Sequence, residues 1–294
     1  PGGVAIQTIH AFCQSLLGRF PLEAGIAPHT RPMDERDALE LRRRALYQVL
    51  EQANQCEGAL SEAVACITRH LGEARFHEIL DALTGKPGRF EEMIASHGSP
   101  LAAADAARSL LGLAPGETAA GVISAACWGE HCSEHDLRRA AAALARGTKA
   151  EQARAAKMAT WLAADGSARA EMFHMWASVF LTEKNARRLD SNLATQGTEG
   201  ASPGVLVAMR AEADRLLCVL PRRRAAVTAE ATEALLLVGA ALLERYRRLK
   251  QSRALLDYDD LITGAVRLLE GAGADWILFK LDGGVDHVLV DEAQ

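Results

Sequence analysis

Two strand-like segments stand at opposite ends of this 294-residue chain, and nearly everything between them reads as helix. Val4-Ala5-Ile6-Gln7-Thr8 reads as a short strand. His287-Val288-Leu289-Val290 is a continuous apolar run of strand length that stops at Asp291. Buried parallel strands read this way, because helices cover both of their faces. The intervening stretch of roughly 240 residues is far longer than a βαβ crossover needs. The economical arrangement is therefore a mainly α chain in which a large helical domain is inserted into a partial parallel α/β core. The chain begins without Met and stops at Gln294 directly after the second strand-like run, so both ends read as cuts through a longer protein.

The interior carries the expected helix signals. Ala and Leu, both good helix formers, supply most of the aliphatic content. His10 to Phe20 reads as a helix ending near Pro21, and the Gly25–Pro32 loop follows. Asp34 is a good N-cap for a long helix in which Leu39, Leu46, Val49 and Ala53 share one face. Ser133 with Asp136 resembles a capping box. Pro221 reads as the opening of the longest helix, where Leu235, Val238, Leu242, Tyr246 and Leu249 recur at gaps of three and four. A further helix runs from near Asp257 to about Gly271.

Bulk properties exclude little. The chain is 49% hydrophobic, 24% charged and 5% aromatic, with a net charge of −5 that does not advertise a nucleic-acid binder but allows a local basic groove. Six cysteines lack the dense spacing of a disulfide scaffold, so reduced thiols in a cytoplasm are expected. No signal peptide is visible and the apolar runs read as too short to span a bilayer, so no membrane association is expected.

Three segments carry chemistry. In Val290-Asp291-Glu292-Ala293-Gln294 an apolar strand delivers two acids at its carboxyl end, the edge where open α/β sheets bind ligands. This is the Walker B arrangement: Asp291 suits Mg²⁺ beside a triphosphate, usually through water, and Glu292 suits alignment and deprotonation of the attacking water. At the other end, Thr8-Ile9-His10 leads into a helix and can present a hydroxyl, an imidazole and free amides to a phosphate. Taken alone, such residues are more often caps or half-buried fillers. The third segment, Leu255-Leu256-Asp257-Tyr258-Asp259-Asp260-Leu261-Ile262, has a bland reading too. Its acids favour the helix dipole, and Leu261 and Ile262 pack.

Taken in order, Thr-Ile-His-Ala-Phe-Cys, a helical insertion, Asp-Tyr-Asp-Asp-Leu-Ile and Val-Leu-Val-Asp-Glu-Ala-Gln resemble the UvrD/RecB-like superfamily-one DNA helicases. Gln14–Ala27 and Phe180-Leu181-Thr182-Glu183-Lys184 look like AddA-type subunits of double-strand-break-repair helicase–nucleases. The resemblance implies a RecA-like P-loop NTPase core at 1–30 and 255–294, the latter ending in Walker B, with a helical insertion over 31–254. It implies ATP and Mg²⁺ as cofactors, single- and double-stranded DNA as substrate, and an AddB-like partner subunit. Asp291 and Glu292 would be the metal-binding and water-activating acids, and Gln294 would couple the nucleotide site to DNA. Thr8 and His10 would lie on the single-stranded DNA path, with Tyr258, Asp259 and Asp260 beside the motor core.

The chain departs from that family in lacking Gly-x-x-x-x-Gly-Lys-Ser/Thr: Gly85-Lys86 is followed by Pro87 and has no upstream glycine. A second motor domain and a nuclease domain are also absent, so the chain alone is expected to be inactive. Cys127, His131, Cys132 and His135 cluster tightly, but their spacing matches no common zinc pattern and a chance cluster near a loop is preferred. Arg42–Arg44, Arg222–Arg224 and Arg245–Lys250 are candidate phosphate contacts, the last slightly preferred, although such runs are usually solvated faces. Trp161, Phe173, Trp176 and Phe180 read as core, and Trp128 as more exposed. The rival reading is a stand-alone helical DNA- or protein-binding module whose terminal strands are incidental.

Overall fold

The computed structural model describes residues 7–27, 29–70, 73–85, 87–128, 133–271 and 273–281. The Walker B segment, with Asp291, Glu292 and Gln294, lies outside them, as do Val4–Ile6, Lys86, His131 and Cys132. The chain forms two compact units, one of residues 1–100 and 234–294, the other of residues 101–233.

The first unit begins with α1 (Ile9–Arg19), β1 (Arg31–Pro32), α2 (Glu35–Gln55), α3 (Ala59–His70), α4 (Glu73–Thr84) and α5 (Pro87–His97). The second holds α6 (Pro100–Leu110) from Leu101 on, α7 (Ala119–Trp128), α8 (Glu134–Leu144), α9 (Lys149–Ala163), α10 (Gly166–Glu171), α11 (Phe173–Phe180), α12 (Asp190–Leu193) and α13 (Gln196–Ala201). The long α14 (Val205–Ser252) belongs to the second unit up to Glu233 and to the first from Ala234. The chain then completes the first unit with β2 (Leu255–Leu256), α15 (Tyr258–Glu270) and α16 (Ala274–Lys280).

In the first unit α1 shares one core with α15 and α16. Cys13, Leu16, Leu17 and Phe20 of α1 and its C-cap pack with Leu261, Ala265 and Leu268 of α15 and Ile277 of α16. Gly264 allows that approach, since a Cβ there would sit 3.2 Å from Leu17 Cδ1. Beside this core, β1 and β2 pair in parallel, Arg31 opposite Leu255 and Pro32 opposite Leu256. The Arg31 amide donates to the Ala254 carbonyl at 2.9 Å and the Met33 amide to Leu256 at 2.8 Å. The pairing thus joins the point where the chain leaves α1 to the point where it returns to α15. A second core gathers α2, α3, α4 and the last part of α14, through Leu41, Leu46, Ile67, Leu80, Val238 and Tyr246.

The second unit is built around a stacked pair, Trp161 and Trp176, with ring centroids 4.0 Å apart, and Phe180 set edge-on to Trp176. Such pairs favour offset or edge-to-face contact and add to simple burial. Their polar handles are satisfied: Trp161 Nε1 donates to the Arg169 carbonyl at 3.0 Å and Trp176 Nε1 to Glu212 at 2.6 Å. Phe173, Trp161, Trp176 and Phe180 are core residues, as their helical spacing suggests, and Trp128 is 68% exposed.

Local rules fail where long-range packing decides. Asp34 caps α2 as expected, accepting from the Asp37 amide at 2.8 Å, but Leu39 is exposed. The buried face is Ala38, Leu41, Ala45, Leu46, Val49 and Ala53, one position round from the expected one, and α3 packs against the helix. Ile262 is likewise exposed while Leu261 is buried. Pro221 does not open a helix; it lies inside α14, which starts at Val205. The helix survives the lost amide because burial of Met209, Ala213 and Leu216 before it and Ala226 and Ala229 after it holds both halves. Ser133 precedes α8 but forms no box: its hydroxyl donates to Asp136 at 2.7 Å instead of accepting an amide. Gln7 and Thr8 are in no strand; Thr8 is the extended N-cap of α1. Finally, α14 contains a stretch long and apolar enough to cross a membrane, with a mean hydropathy of 1.6. Its Ala226, Ala229, Ala234, Val238 and Leu242 are packed into protein cores.

Candidate nucleic-acid interface

The α1–α15 core places two segments of the sequence side by side. Thr8 caps α1 by accepting the Ala11 amide at 3.3 Å, which leaves the Ile9 and His10 N–H groups without a helical partner. Asp257 caps α15, accepting from the Asp260 amide at 2.8 Å, while Asp260 accepts the Asp257 amide at 3.0 Å. This reciprocal capping box fixes the direction in which α15 starts. With both helix starts fixed, the His10 imidazole meets the Tyr258 ring, centroids 4.7 Å apart and tilted by 57°. Ile9 is 68% exposed and Tyr258 46%. The two helix starts therefore offer an open aromatic and apolar patch beside free amides. That chemistry suits a stacked base with a phosphate close by.

Behind the patch lies a network that spacing did not disclose. Lys250 of α14 is nearly enclosed, and its ammonium donates to Asp257 Oδ2 at 2.8 Å and Asp260 Oδ2 at 2.5 Å. The Tyr246 hydroxyl donates to the same Asp257 oxygen at 2.9 Å, and the Lys250 Nζ sits 4.5 Å from the centroid of the Tyr246 ring. Two carboxylates thus share one cation. Burial pushes Asp257 up, but Lys250 and the Asp260 amide outweigh it and hold its pKa below the ordinary range. Asp260 goes the other way: burial, with the Asp257 charge added, raises it despite Lys250. Burial also pushes the Tyr246 phenol up, reinforced by Asp257. Asp257, Lys250 and Tyr246 are structural partners of the patch. Lys250 could not be picked out as such, because its acids lie beyond a helix end. Asp259 is exposed and takes no part in this network.

The basic run preferred as a phosphate contact is largely committed within the protein. Arg247 pairs with Glu91 and Glu244, Arg248 with Glu244, and Arg245 donates to Gln52. Arg222 forms a two-point pair with Glu117. Cys127 is buried in the aromatic core, and among the described residues no group of three or more His, Cys, Asp or Glu side chains is placed to hold a metal ion. His131 and Cys132 of that cluster are outside them.

Comparison with known proteins adds what geometry alone does not. No curated protein matches the chain. The family model of the UvrD/REP helicase N-terminal domain matches residues 2–294, nearly the whole length, and takes in both helix starts of the patch. The chain therefore belongs to the UvrD/REP helicase N-terminal domain family, the ATP- and DNA-binding domain of UvrD-like superfamily-one helicases.

Proposed function

We propose that this chain is part of the first motor domain of an ATP-driven single-stranded-DNA translocase of the AddA type, acting in the cytoplasm in recombinational double-strand-break repair with an AddB-like partner and a helicase–nuclease parent. Residues 1–30 and 255–294 belong to a RecA-like core and residues 31–254 to a helical insertion. The observation that carries the reading is the meeting of His10 with Tyr258 over a core shared by α1 and α15. The parallel β1–β2 pair supports the same boundaries, since it joins the chain where the insertion would leave and return. A stand-alone helical module gives no reason for α1 and α15, more than 200 residues apart, to share a core.

In this reading Thr8 and His10 lie on the DNA path, with Tyr258, Asp259 and Asp260 beside it. Asp291 and Glu292 serve the nucleotide, and Gln294 links the nucleotide site to DNA. Adjacent carboxylates are a donor set that fits a hard divalent cation, and Mg²⁺ held by Asp291 would neutralise charge on the triphosphate. Glu292 would orient and deprotonate water. The phosphate loop and second motor domain come from the parent, so the chain alone turns over no ATP.

The test is made on the full-length parent. Glu292→Gln lowers the DNA-stimulated ATPase by about 100-fold or more, as loss of a general base does, and leaves nucleotide binding in place. His10→Ala weakens single-stranded DNA binding about 10-fold, the scale of one lost stacking contact. Hydrolysis at the wild-type rate by Glu292→Gln overturns the assignment of that residue. Unchanged DNA affinity in His10→Ala removes the patch from the DNA path.

A further inference from the structure

Within the runs, Arg222, Arg247, Arg248 and Lys250 have carboxylate partners, whereas a scattered set of cations has none. In the unit of residues 101–233, Arg154 and Lys157 lie three apart on α9 and so on one side of it. After α11 the chain doubles back: Leu181 bridges Arg187 antiparallel, Asn185 takes a φ of 55°, and the Arg188 amide returns to the Phe180 carbonyl at 3.0 Å. This hairpin carries the Arg188 guanidinium onto α11, where Nε and Nη2 donate to the Ser178 carbonyl at 3.3 and 3.1 Å. Lys157 Nζ donates to the hydroxyl of the same serine at 3.3 Å. Two cations thus converge on Ser178, and Arg154 is close enough to feel the charge of Arg188.

Like charges gathered in one place call for an opposite charge. Among the described residues, no carboxylate forms an ion pair with Arg154, Lys157 or Arg188. Arg154 Nε is enclosed with no hydrogen-bond partner. The acid that Arg154 does feel, Glu151, is already engaged by the Thr148 amide and hydroxyl and the Thr195 amide. Arg187, next to Arg188, is committed to Asp214 at 3.2 Å. On a chain of net charge −5, three cations with one buried carboxylate near them are a local feature that composition conceals.

We infer that Arg154, Lys157 and Arg188 form a phosphate-binding site whose ligand is the phosphodiester backbone of a nucleic acid. The nature of that ligand rests on the helicase reading, and the site itself rests on the three cations. With Nε and Nη2 of Arg188 held by the Ser178 carbonyl, its Nη1 and the exposed Lys157 ammonium are left to meet neighbouring backbone oxygens, which position a strand without reading its bases.

The test measures DNA affinity of the full-length protein across a salt series. Each phosphate contact contributes about 0.9 to the slope of log affinity against log salt on duplex and about 0.7 on single strands. Lys157→Gln, which removes an exposed side chain, reduces the slope by about that amount, and Lys157→Gln/Arg188→Gln by about twice as much. Arg187→Gln, whose charge is already paired, leaves it unchanged. ATPase in the absence of DNA stays at the wild-type rate in all three, which separates this result from the Glu292→Gln outcome. An unchanged slope in Lys157→Gln with an unchanged melting curve overturns the site. So does an equal loss in Arg187→Gln. Titration with inorganic phosphate provides the last arm: saturable binding that Lys157→Gln abolishes, with the DNA slope intact, would assign the cations to a free anion and overturn the backbone reading.

Discussion

Glu151 is completely enclosed and still charged. Burial alone would raise its pKa, but the Thr195 amide, the Thr148 amide and the Thr198 and Thr148 hydroxyls outweigh burial and bring it to about 2. The cradle needs Gly147: a Cβ there would lie 2.4 Å from Glu151 Oε2 and 2.9 Å from Thr198 Oγ1. Because the folded pKa lies below the ordinary 4.5, the charged carboxylate stabilises the fold fully above about pH 4.5. That contribution is lost as the pH falls toward 2. Glu151→Gln supplies an amide where acceptors are needed, so it costs about 2 kcal/mol at neutral pH, the scale of buried donors left unmade. In urea unfolding the gap between variant and wild type narrows as the pH drops below 4.5. A gap that is constant with pH would show that the charge is not what the cradle holds.

At the level of elements, the start of α15 depends on one lysine from α14. Lys250 compensates Asp257 and Asp260 together, and removing it leaves two largely buried carboxylates with no cation. Lys250→Met therefore destabilises the chain by about 3 kcal/mol in thermal unfolding, as for a buried pair that loses one partner. Asp260 is raised by burial and the Asp257 charge even with the lysine in place, and rises further without it, so protonation of Asp260 favours the fold and the deficit shrinks as the pH falls. Asp260→Asn on that background restores part of the loss, and no restoration would rule out charge as the cause. The helix start near Asp257 was legible in the sequence, with its acids read as partners of the helix dipole, while the reciprocal box between Asp257 and Asp260 emerges only in the structure. The lysine was not legible, because Lys250 sits on another helix and its neighbours suggested an exposed basic face. Pro221 misled for a related reason: the preference of proline for a first helical turn is a local tendency, and the cores on either side override it. Thr8 and His10 stood out as a strand-to-helix junction, whereas the meeting of His10 with Tyr258 belongs to packing between segments far apart in sequence. The unpaired cations were hidden because sequence shows runs, and Arg154, Lys157 and Arg188 form none.

Across the whole molecule, stability divides along the same line as the cores. The aromatic core takes its residues from 101–233, and the cores around α1, α15 and the last part of α14 take theirs from 1–100 and 234–294. Trp161 and Trp176 are fully buried in the former, so tryptophan fluorescence weights that unit's unfolding. Glu151 belongs to one unit and Lys250 to the other, and they share no hydrogen-bond partner. Substitutions at sites without shared partners add to within about 0.5 kcal/mol. Glu151→Gln/Lys250→Met should therefore lose the sum of the single losses, with Glu151→Gln shifting mainly the fluorescence transition and Lys250→Met mainly a helix-content transition that remains once the tryptophans are exposed. The element able to break this independence is α14, which contributes Met209, Ala213 and Leu216 to one core and Val238, Leu242 and Tyr246 to another within one continuous helix. If the double variant departs from the sum by more than about 1 kcal/mol, α14 transmits strain along its length and the two units unfold as one. If the sum holds, the 48-residue helix joins two separately stable bodies.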